Sequence, residues 1–468
     1  ILMSRKSYDV VIAGAGTAGT TLAYLLAKHG FKVALIDRRS KESIGDKICG
    51  DAIAAHHFKS ADVPKPSKDV IKVWVEGFKV YPRSMDYYLK IVAEDGGYVV
   101  DRHMYGQELL DHAIKEGIDL YDGIIANNLI IDDDYAKGVL GYKVGSNEVI
   151  KIYGKIIVDA TGYPAALLMK APDKWLIDKR IRSRDIIIAY REIVEIDKPI
   201  WDIENLHLHF ISRYAPTGYV WIFPWDKDGK KLNFGNGMIP GVSSYKPHEL
   251  LNMYANEVLP EYLANRRILK RGSWNIPNRR PRYNFIGNGF LAVGDSAIMV
   301  DPATAEGIGY GLYGAWIASK HIRKALEAGD YSRDALWSYQ REYVTSPYGI
   351  RQARLDVFKY MLQAYSDLDY EFVIKHKILT SSDMIKARDE DSFLSSFDKA
   401  VRAIKAALYG KLKIVRDLKY VIDVMRLVKN IYLEYPTSIE GLMPWISRVE
   451  NIFSELDKRF PPYKPQYI

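Results

Sequence analysis

The segment YDVVIAGAGTAGTTLAYLLAKHGFKVALIDRR, Tyr8 to Arg39, constrains this chain more than any other. The apolar run Val10 to Ala13 predicts a buried strand, a glycine turn follows, a helix reaches about His29, and a second strand from Lys32 to Ile36 ends in Asp37. Gly14, Gly16 and Gly19 hold the G-x-G-x-x-G spacing inside that βαβ unit. The first glycine allows the tight turn, the second lets backbone approach a pyrophosphate, and the third lets helix pack on strand. The pyrophosphate then sits at the helix N-terminus. Asp37 is placed to bond ribose hydroxyls, while Arg38 and Arg39 could meet a 2′-phosphate, so this motif alone leaves FAD and NADP both open.

A second element narrows the choice. In LAVGDSA a buried strand delivers Gly294 and Asp295 at its carboxyl end, where open α/β sheets bind ligands. EGIGYG then opens a long helix, so Gly307 and Ile308 present backbone N–H groups and a positive dipole end. Such an end suits the N1/C2=O edge of an isoalloxazine, which gathers negative charge on reduction. An NADP domain has no need of it, and FAD is favoured.

Between these elements the stretch APTGYVWIFPWD sets Tyr219, Trp221, Phe223 and Trp225 on alternate positions. In a strand these rings form one wall, with Val220 and Ile222 behind it. The wall either packs a sheet or lines a ligand slot. From Arg184 to about Met238 apolar and polar residues alternate in strand-length pieces, which predicts an antiparallel sheet separate from the nucleotide fold. From Tyr331 onward the pattern is mainly helical.

A chain of 468 residues exceeds what one core usually organises. The expected division is an FAD domain from residues 1–72, 98–183 and 284–330, a substrate-binding sheet domain from 73–97 and 184–283, and a helical domain over 331–468. With 48% hydrophobic and 26% charged residues the composition is globular. The uncharged run Val10 to Ala27 is broken by glycines and lacks a cleavage-site pattern, so it reads as part of a soluble fold, with no signal peptide or membrane span expected. The single cysteine, Cys49, excludes an intrachain disulfide and suits a reducing cytosol. Val401 to Asn430 reads as one basic amphipathic helix, with eight Lys/Arg against two Asp. It either packs with a solvated basic face or receives an anionic surface or ligand. His56, His57, His207 and His209 show no metal-ligand spacing and read as solvated or capping residues, so no metal is expected. Nothing resembles a nucleic-acid-binding motif.

Taken together, GAGTAG, the acidic strand end, Arg102 entering a helix, DATG, and GDSA followed by PATAEGIGYG resemble the para-hydroxybenzoate-hydroxylase-type flavoproteins. Within that superfamily, KICGD and PTGYVWIFP resemble the geranylgeranyl reductases, including the archaeal digeranylgeranylglycerophospholipid reductases. The substrate-domain motif P-x-x-Y-x-W-x-F-P is met by Pro216, Tyr219, Trp221, Phe223 and Pro224. The resemblance implies a Rossmann-like FAD domain of α/β class within an α+β whole, and an FAD-dependent reductase of isoprenoid double bonds in membrane ether-lipid synthesis. It carries FAD contacts onto Ala18, Asp37, Cys49, Gly50, Ala52, Arg102, Ala126, Asp295, Gly307 and Ile308, beside the fingerprint glycines. Asp37 stands where many relatives have Glu, and Asp51-Ala52 replaces glycines that often follow Cys-Gly.

An isoprenoid alkene has no activating carbonyl, so its reduction is expected to pass through tertiary-cation character, which aromatic faces stabilise. Tyr219, Trp221 and Cys49 are therefore the candidate catalytic residues: the rings for the developing charge, Tyr219 also to position a proton-donating water, and Cys49 as a flavin-side contact or proton donor. The implied partners are a prenyl diphosphate or prenylated ether lipid and an electron donor, whether nicotinamide, ferredoxin or quinol. A cytoplasmic protein touching the inner membrane face is expected. A flavin monooxygenase or halogenase of the same fold, or a non-catalytic prenyl-lipid-binding flavoprotein, are the competing readings.

Overall fold

The computed structural model describes residues 7–383 and 396–465. Its first sheet gathers four parallel strands, Ser7–Ala13, Val33–Ile36, Asp119–Tyr121 and Val149–Asp159, and a fifth, Phe290–Ala292. Where the strands lie side by side, residues 10–13, 33–36, 156–158 and 290–292 are apolar and buried, as stretches covered on both faces must be. Their register decides where chemistry can happen. Ala13 lies opposite both Ile36 and Asp159, and Asp159 opposite Ala292, so four strands end level with one another. The loops carrying Gly14, Asp37, Ala160 to Gly162 and Gly294 therefore leave from one edge of the sheet, the carboxyl edge expected for nucleotide binding.

The helix Thr17–Ala27 follows the first strand and packs beside the long helix Ile308–Ala328. Close approach explains the glycines. A Cβ on Gly19 would stand 1.9 Å from the Gly14 carbonyl oxygen, and Gly14, with φ +107°, would press a Cβ to 2.2 Å from the Ala160 carbonyl oxygen. Asp159, fully buried, holds the turn after its strand by accepting from the N–H groups of Thr161, Leu167 and Leu168 and from the Thr161 and Ser296 hydroxyls. The DATG motif is thus a turn-fixing device.

The second sheet has eight strands in the order Arg267–Pro277, Ile186–Glu195, Lys231–Met238, Tyr219–Pro224, Asn205–His209, Ile71–Tyr81, Leu89–Val100, Ala52–Ala54. It is antiparallel as expected, with one exception: Asn205–His209 runs parallel to Ile71–Tyr81. The chain enters this sheet twice, with part of the nucleotide fold between, and that long connection permits a parallel neighbour where a hairpin would not. Val220 and Ile222 point into a core with Leu232, Phe234 and the helix Pro247–Glu257, while Trp221 and Phe223 face the other way.

The remainder is helical: Arg333–Thr345, Pro347–Ala364, Asp367–Lys375, Ser396–Leu408, Leu412–Leu433 and Leu442–Arg459. Ion pairs bind this part to the rest: Arg280 3.0 Å from Asp356 and Lys359 3.0 Å from Asp185 are buried, and Arg184 meets the partly exposed Asp457 at 2.6 Å. The single basic helix expected over Val401 to Asn430 is instead two helices. Gly410, at φ +66°, takes the left-handed conformation that ends a helix, and the chain restarts at Leu412. Ile414, Val421, Met425 and Val428 of the second helix are buried, so its apolar face is packed.

Candidate active site

A cavity of about 640 Å³ runs from the carboxyl edge of the parallel sheet to the aromatic face of the second sheet. That is ample for a cofactor or an extended ligand. At the sheet edge it is lined by Gly14, Gly16, Ala18 and Asp37 from the first βαβ unit, by Arg102, by Ala126, and by Gly294 and Asp295. Space opens beyond Gly16, where a Cβ would meet nothing within 4 Å. Arg102 begins the helix Arg102–Lys115 because Asp101 caps it, its carboxylate accepting from the N–H groups of His103 and Met104. The Arg102 guanidinium is buried at 5% exposure; Nη2 donates to the Thr17 hydroxyl, while Nε and Nη1 have no protein partner. A buried guanidinium with two idle donors beside a glycine-lined helix N-terminus fits a pyrophosphate. Asp37 at the second strand's end presents its carboxylate to the Ala15 and Arg39 N–H groups, at 2.7 and 2.9 Å.

The other lobe is apolar. Tyr219, Trp221 and Phe223 stand along one strand face with ring centroids 6.3 and 6.4 Å apart, joined by Phe210, Leu208 and Ala189 from neighbouring strands. Across from them Leu362 and Tyr370, from two C-terminal helices, and Met425 from a third close the wall. Tyr219 donates its hydroxyl hydrogen to the Thr304 carbonyl at 2.5 Å, and burial raises its pKa, so the phenol keeps its proton and its ring is fixed. Trp221 Nε1 donates to Asn233 Oδ1 at 2.8 Å, which orients the indole.

Between the lobes passes the loop of Cys49, Gly50 and Asp51. A side chain at Gly50 would displace the aromatic wall, since a Cβ would stand 2.9 Å from the edge of the Phe223 ring. The Cys49 thiol is half-buried, and burial together with the nearby Asp51 raises its pKa, so it stays protonated rather than becoming a thiolate. Asn233 Nδ2 donates to the Cys49 carbonyl at 2.9 Å and to Asp51 Oδ2 at 2.8 Å, tying loop to aromatic strand. On the opposite side Gly307 and Ile308 open the long helix. Glu306 just before them approaches His57 Nε2 at 3.4 Å and accepts from the Gly309 N–H at 2.6 Å. Burial pushes the Glu306 carboxyl up, but His57 and the Gly309 N–H outweigh it and hold it below the usual range.

The structure brings Tyr219, Trp221, Phe223, Cys49, Gly50, Ala52, Gly307 and Ile308 to the same cavity as Gly14, Gly16, Asp37, Arg102 and Asp295. Three motif positions stand off it. Gly19 serves helix packing, Pro216 precedes the turn into the aromatic strand, and Pro224 ends that strand on its buried side. Trp225 leaves the wall, because the strand stops at Pro224; it packs beside Val73, Val75 and Val99 with Lys72 over its ring at 5.1 Å. His57, His207 and His209 are not solvated. His57 is 4% exposed with Nδ1 at 2.7 Å from the Tyr348 hydroxyl, and His207 and His209 are fully buried in the second sheet. Residues missed by sequence reasoning are Thr17, Lys47, whose Nζ meets Asp295 at 2.8 Å, and Asn233. Lys47 was visible as the start of KICGD; nothing local marks Asn233.

Comparison with known proteins sets this geometry in context. Residues 185–273 match the geranylgeranyl reductase catalytic domain, and residues 2–186 match the Thi4 family. The chain is 33% identical over 457 residues to the digeranylgeranylglycerophospholipid reductase of Sulfolobus acidocaldarius, covering 97% of this chain and 99% of the relative. A digeranylgeranylglycerophospholipid reductase 2 from Methanococcoides burtonii is 29% identical, over 72% of this chain and 80% of its own. Among solved structures, a geranylgeranyl bacteriochlorophyll reductase-like protein from Thermoplasma acidophilum superposes with a TM-score of 0.75 at 22% identity, covering 89% of this chain and all of that one. A flavin-dependent brominase gives 0.65 at 16% identity, over 97% of this chain and 100% of its own. At these identities the two structural likenesses concern the fold alone.

Proposed function

The chain belongs to the digeranylgeranylglycerophospholipid reductase family, and from that premise we propose that it is an FAD-dependent reductase saturating the isoprenoid double bonds of geranylgeranyl chains, carried on a diether phospholipid or a diphosphate. The observation that carries this reading is the single cavity joining a dinucleotide cradle to a slot walled by aromatic rings. The fingerprint glycines, Asp37, Arg102 and Asp295 would hold FAD, which when bound and reduced would supply hydride chemistry at the alkene.

The remaining work falls to side chains. Tyr219, Trp221 and Phe223 exclude water from the slot and present ring faces to the carbon that gains positive charge. Each face is worth about 0.5 to 2 kcal/mol to a cation, the upper end when dry. Tyr219 cannot serve as a base-like phenolate, since its proton is committed to Thr304. Its hydroxyl oxygen stays available to accept from a water.

The test is anaerobic. Protein with bound flavin, chemically reduced, is mixed with digeranylgeranylglycerophospholipid or geranylgeranyl diphosphate, and the prenyl chain is weighed. A gain of about 2 Da for each saturated bond supports the reading, being the hydride and proton of each turnover. Unchanged mass on both substrates, with flavin reduced, counts against it, and oxygen uptake with hydroxylated or halogenated product would favour a monooxygenase or halogenase instead.

A further inference from the structure

The reduction needs a proton as well as a hydride, and the charged and polar groups around the cavity differ in what they can give. Asp295 is engaged by Lys47, Asp37 by two backbone N–H groups, and Asp301 by the N–H groups of Ala303 and Thr304. Glu306 is held ionised by His57 and Gly309. The Tyr219 phenol and the Cys49 thiol are both driven towards greater proton affinity by burial. Asp51 stands apart. It is 1% exposed, lines the cavity between Cys49 and the aromatic strand, and keeps Oδ2 on Asn233 while Oδ1 is buried without a hydrogen-bond partner. Its backbone takes φ +63°, an uncommon conformation that Asp and Asn tolerate better than other side chains.

We propose that Asp51 is the proton donor of this site: its carboxylic acid supplies the proton taken by one alkene carbon while the other carbon receives hydride. The inference rests on the reductase reading. The π pair of the alkene forms a C–H bond to the Asp51 proton as the Asp51 O–H bond breaks. The second carbon takes hydride from reduced flavin, the two-electron reductant, which leaves oxidised. The product carries two more hydrogens, and the Asp51 carboxylate recovers its proton from water. A buried Oδ1 without a hydrogen-bond partner costs a neutral carboxyl less than it costs a carboxylate.

The surroundings fit the duty. Burial pushes the Asp51 pKa up, and Arg191, Arg102 and the Asn233 bond pull it part of the way back, to about 7. Arg191 reaches from the strand Ile186–Glu195 with Nη2 at 3.9 Å from Oδ2, Arg102 and Asp101 come from the start of their helix, and Cys49 and Lys47 lie on the same loop. The two guanidinium groups offer the carboxylate a partner once the proton has gone. An acid poised near the working pH is the most effective donor.

Asp51→Asn is the informative variant, because Asn keeps both the left-handed backbone and an acceptor for Asn233. The first measurement needs no substrate: in holoenzyme labelled with carboxyl-¹³C aspartate, one carboxyl is expected to titrate near pH 7 and to vanish in D51N. The second mixes anaerobic, pre-reduced enzyme with the geranylgeranyl lipid and follows flavin reoxidation. Wild type should slow about tenfold for each pH unit above 7, the behaviour of a rate that follows the protonated fraction of one acid. D51N should be about a hundredfold slower or more at pH 6, within the range for loss of a general acid, and should lack that limb. Asp51→Glu should regain part of the rate. A D51N protein within threefold of wild type with the same pH limb overturns the proposal, as does the absence of any carboxyl titrating between pH 6 and 8 in wild type. If wild type is not reoxidised by the lipid at any pH, the reductase reading fails and the proposal with it; reoxidation with an unaffected D51N sinks the proposal alone.

Discussion

At the scale of single residues, Arg102 and the aromatic wall make the sharpest claims. Arg102 leaves two buried donors idle in the protein. A charge-assisted hydrogen bond is worth about 1.5 to 3 kcal/mol, so Arg102→Met is expected to weaken flavin binding about 10- to 100-fold, read from fluorescence titration and from flavin retained after gel filtration. Arg102→Lys should not restore it, because an ammonium cannot reproduce the planar fork that bonds Thr17 and still presents two further donors. The wall calls for a different readout. Phe223→Leu keeps an apolar side chain of similar reach but removes a π face, so the single-turnover reduction rate should fall about 2- to 30-fold, the range that 0.5 to 2 kcal/mol implies. Prenyl-lipid affinity should stay within about threefold, since leucine preserves most of the apolar contact. Equal losses in rate and affinity would reduce the ring to a packing residue.

At the scale of elements, the second sheet carries a pH liability that spacing alone could not reveal. His209 is enclosed by Tyr81 and Tyr254, its Nδ1 2.7 Å from the Tyr254 hydroxyl, and burial lowers its pKa to about 3; His207 is lowered by the same cause. A depressed histidine favours the neutral fold. Its contribution is fully present above the unfolded value of about 6.5 and is lost as pH falls towards the folded one. Chemical unfolding of wild type should therefore show stability declining below pH 6.5, with a shallower slope in His209→Gln whatever that variant's absolute stability. Asp51 runs in the opposite sense: its raised folded pKa gives stability that is present below about pH 4 and lost as pH rises through about 7. Elements whose residues answer to their own backbone were legible in the sequence. Gly14 and Gly19 are demanded by a turn and a close packing, and the alternation of Tyr219, Trp221 and Phe223 by a strand face. What was illegible depends on partners far along the chain. His57 looked solvated because nothing near it announces Tyr348, 291 residues away, and Asp51 looked like a mere departure from a glycine because Asn233 lies 182 residues on. The break at Gly410 lay within local reach, yet an unbroken amphipathic pattern outweighed one glycine.

For the whole molecule, the question is how a lipid chain reaches a cavity inside it. Among the described residues no helix is long and apolar enough to cross a membrane. The helix Asp367–Lys375 has Tyr370 on the cavity and Leu368 at 69% exposure on its outside. Close to that outer side lies the bend between the two basic helices, held there by Lys411 on Asp369 and by Tyr409 against His376 and Phe372. Ile404, Leu408 and Tyr409 are all more than half exposed at this bend, and the His376 pKa is lowered there first by desolvation and then by the nearby charges of Lys375 and Lys405. Exposed apolar side chains bordered by lysines match the two attractions an anionic bilayer offers, and a lipid substrate gives a reason for the match. We propose that this bend docks on anionic membrane, with the Asp367–Lys375 helix between membrane and slot. Burying a leucine contributes about 1.5 to 3 kcal/mol and each lysine near an anionic surface about 1 kcal/mol. Leu408→Glu combined with Lys405→Glu should thus lower partitioning onto phosphatidylglycerol vesicles at least tenfold, measured by sedimentation, while reduction of detergent-dispersed lipid is unchanged. Wild-type binding should weaken as salt rises and be slight on neutral vesicles, because the basic contribution is screened within a Debye length of about 8 Å at physiological ionic strength. Vesicle binding that ignores both the substitutions and the salt would place the membrane contact on another face of the molecule.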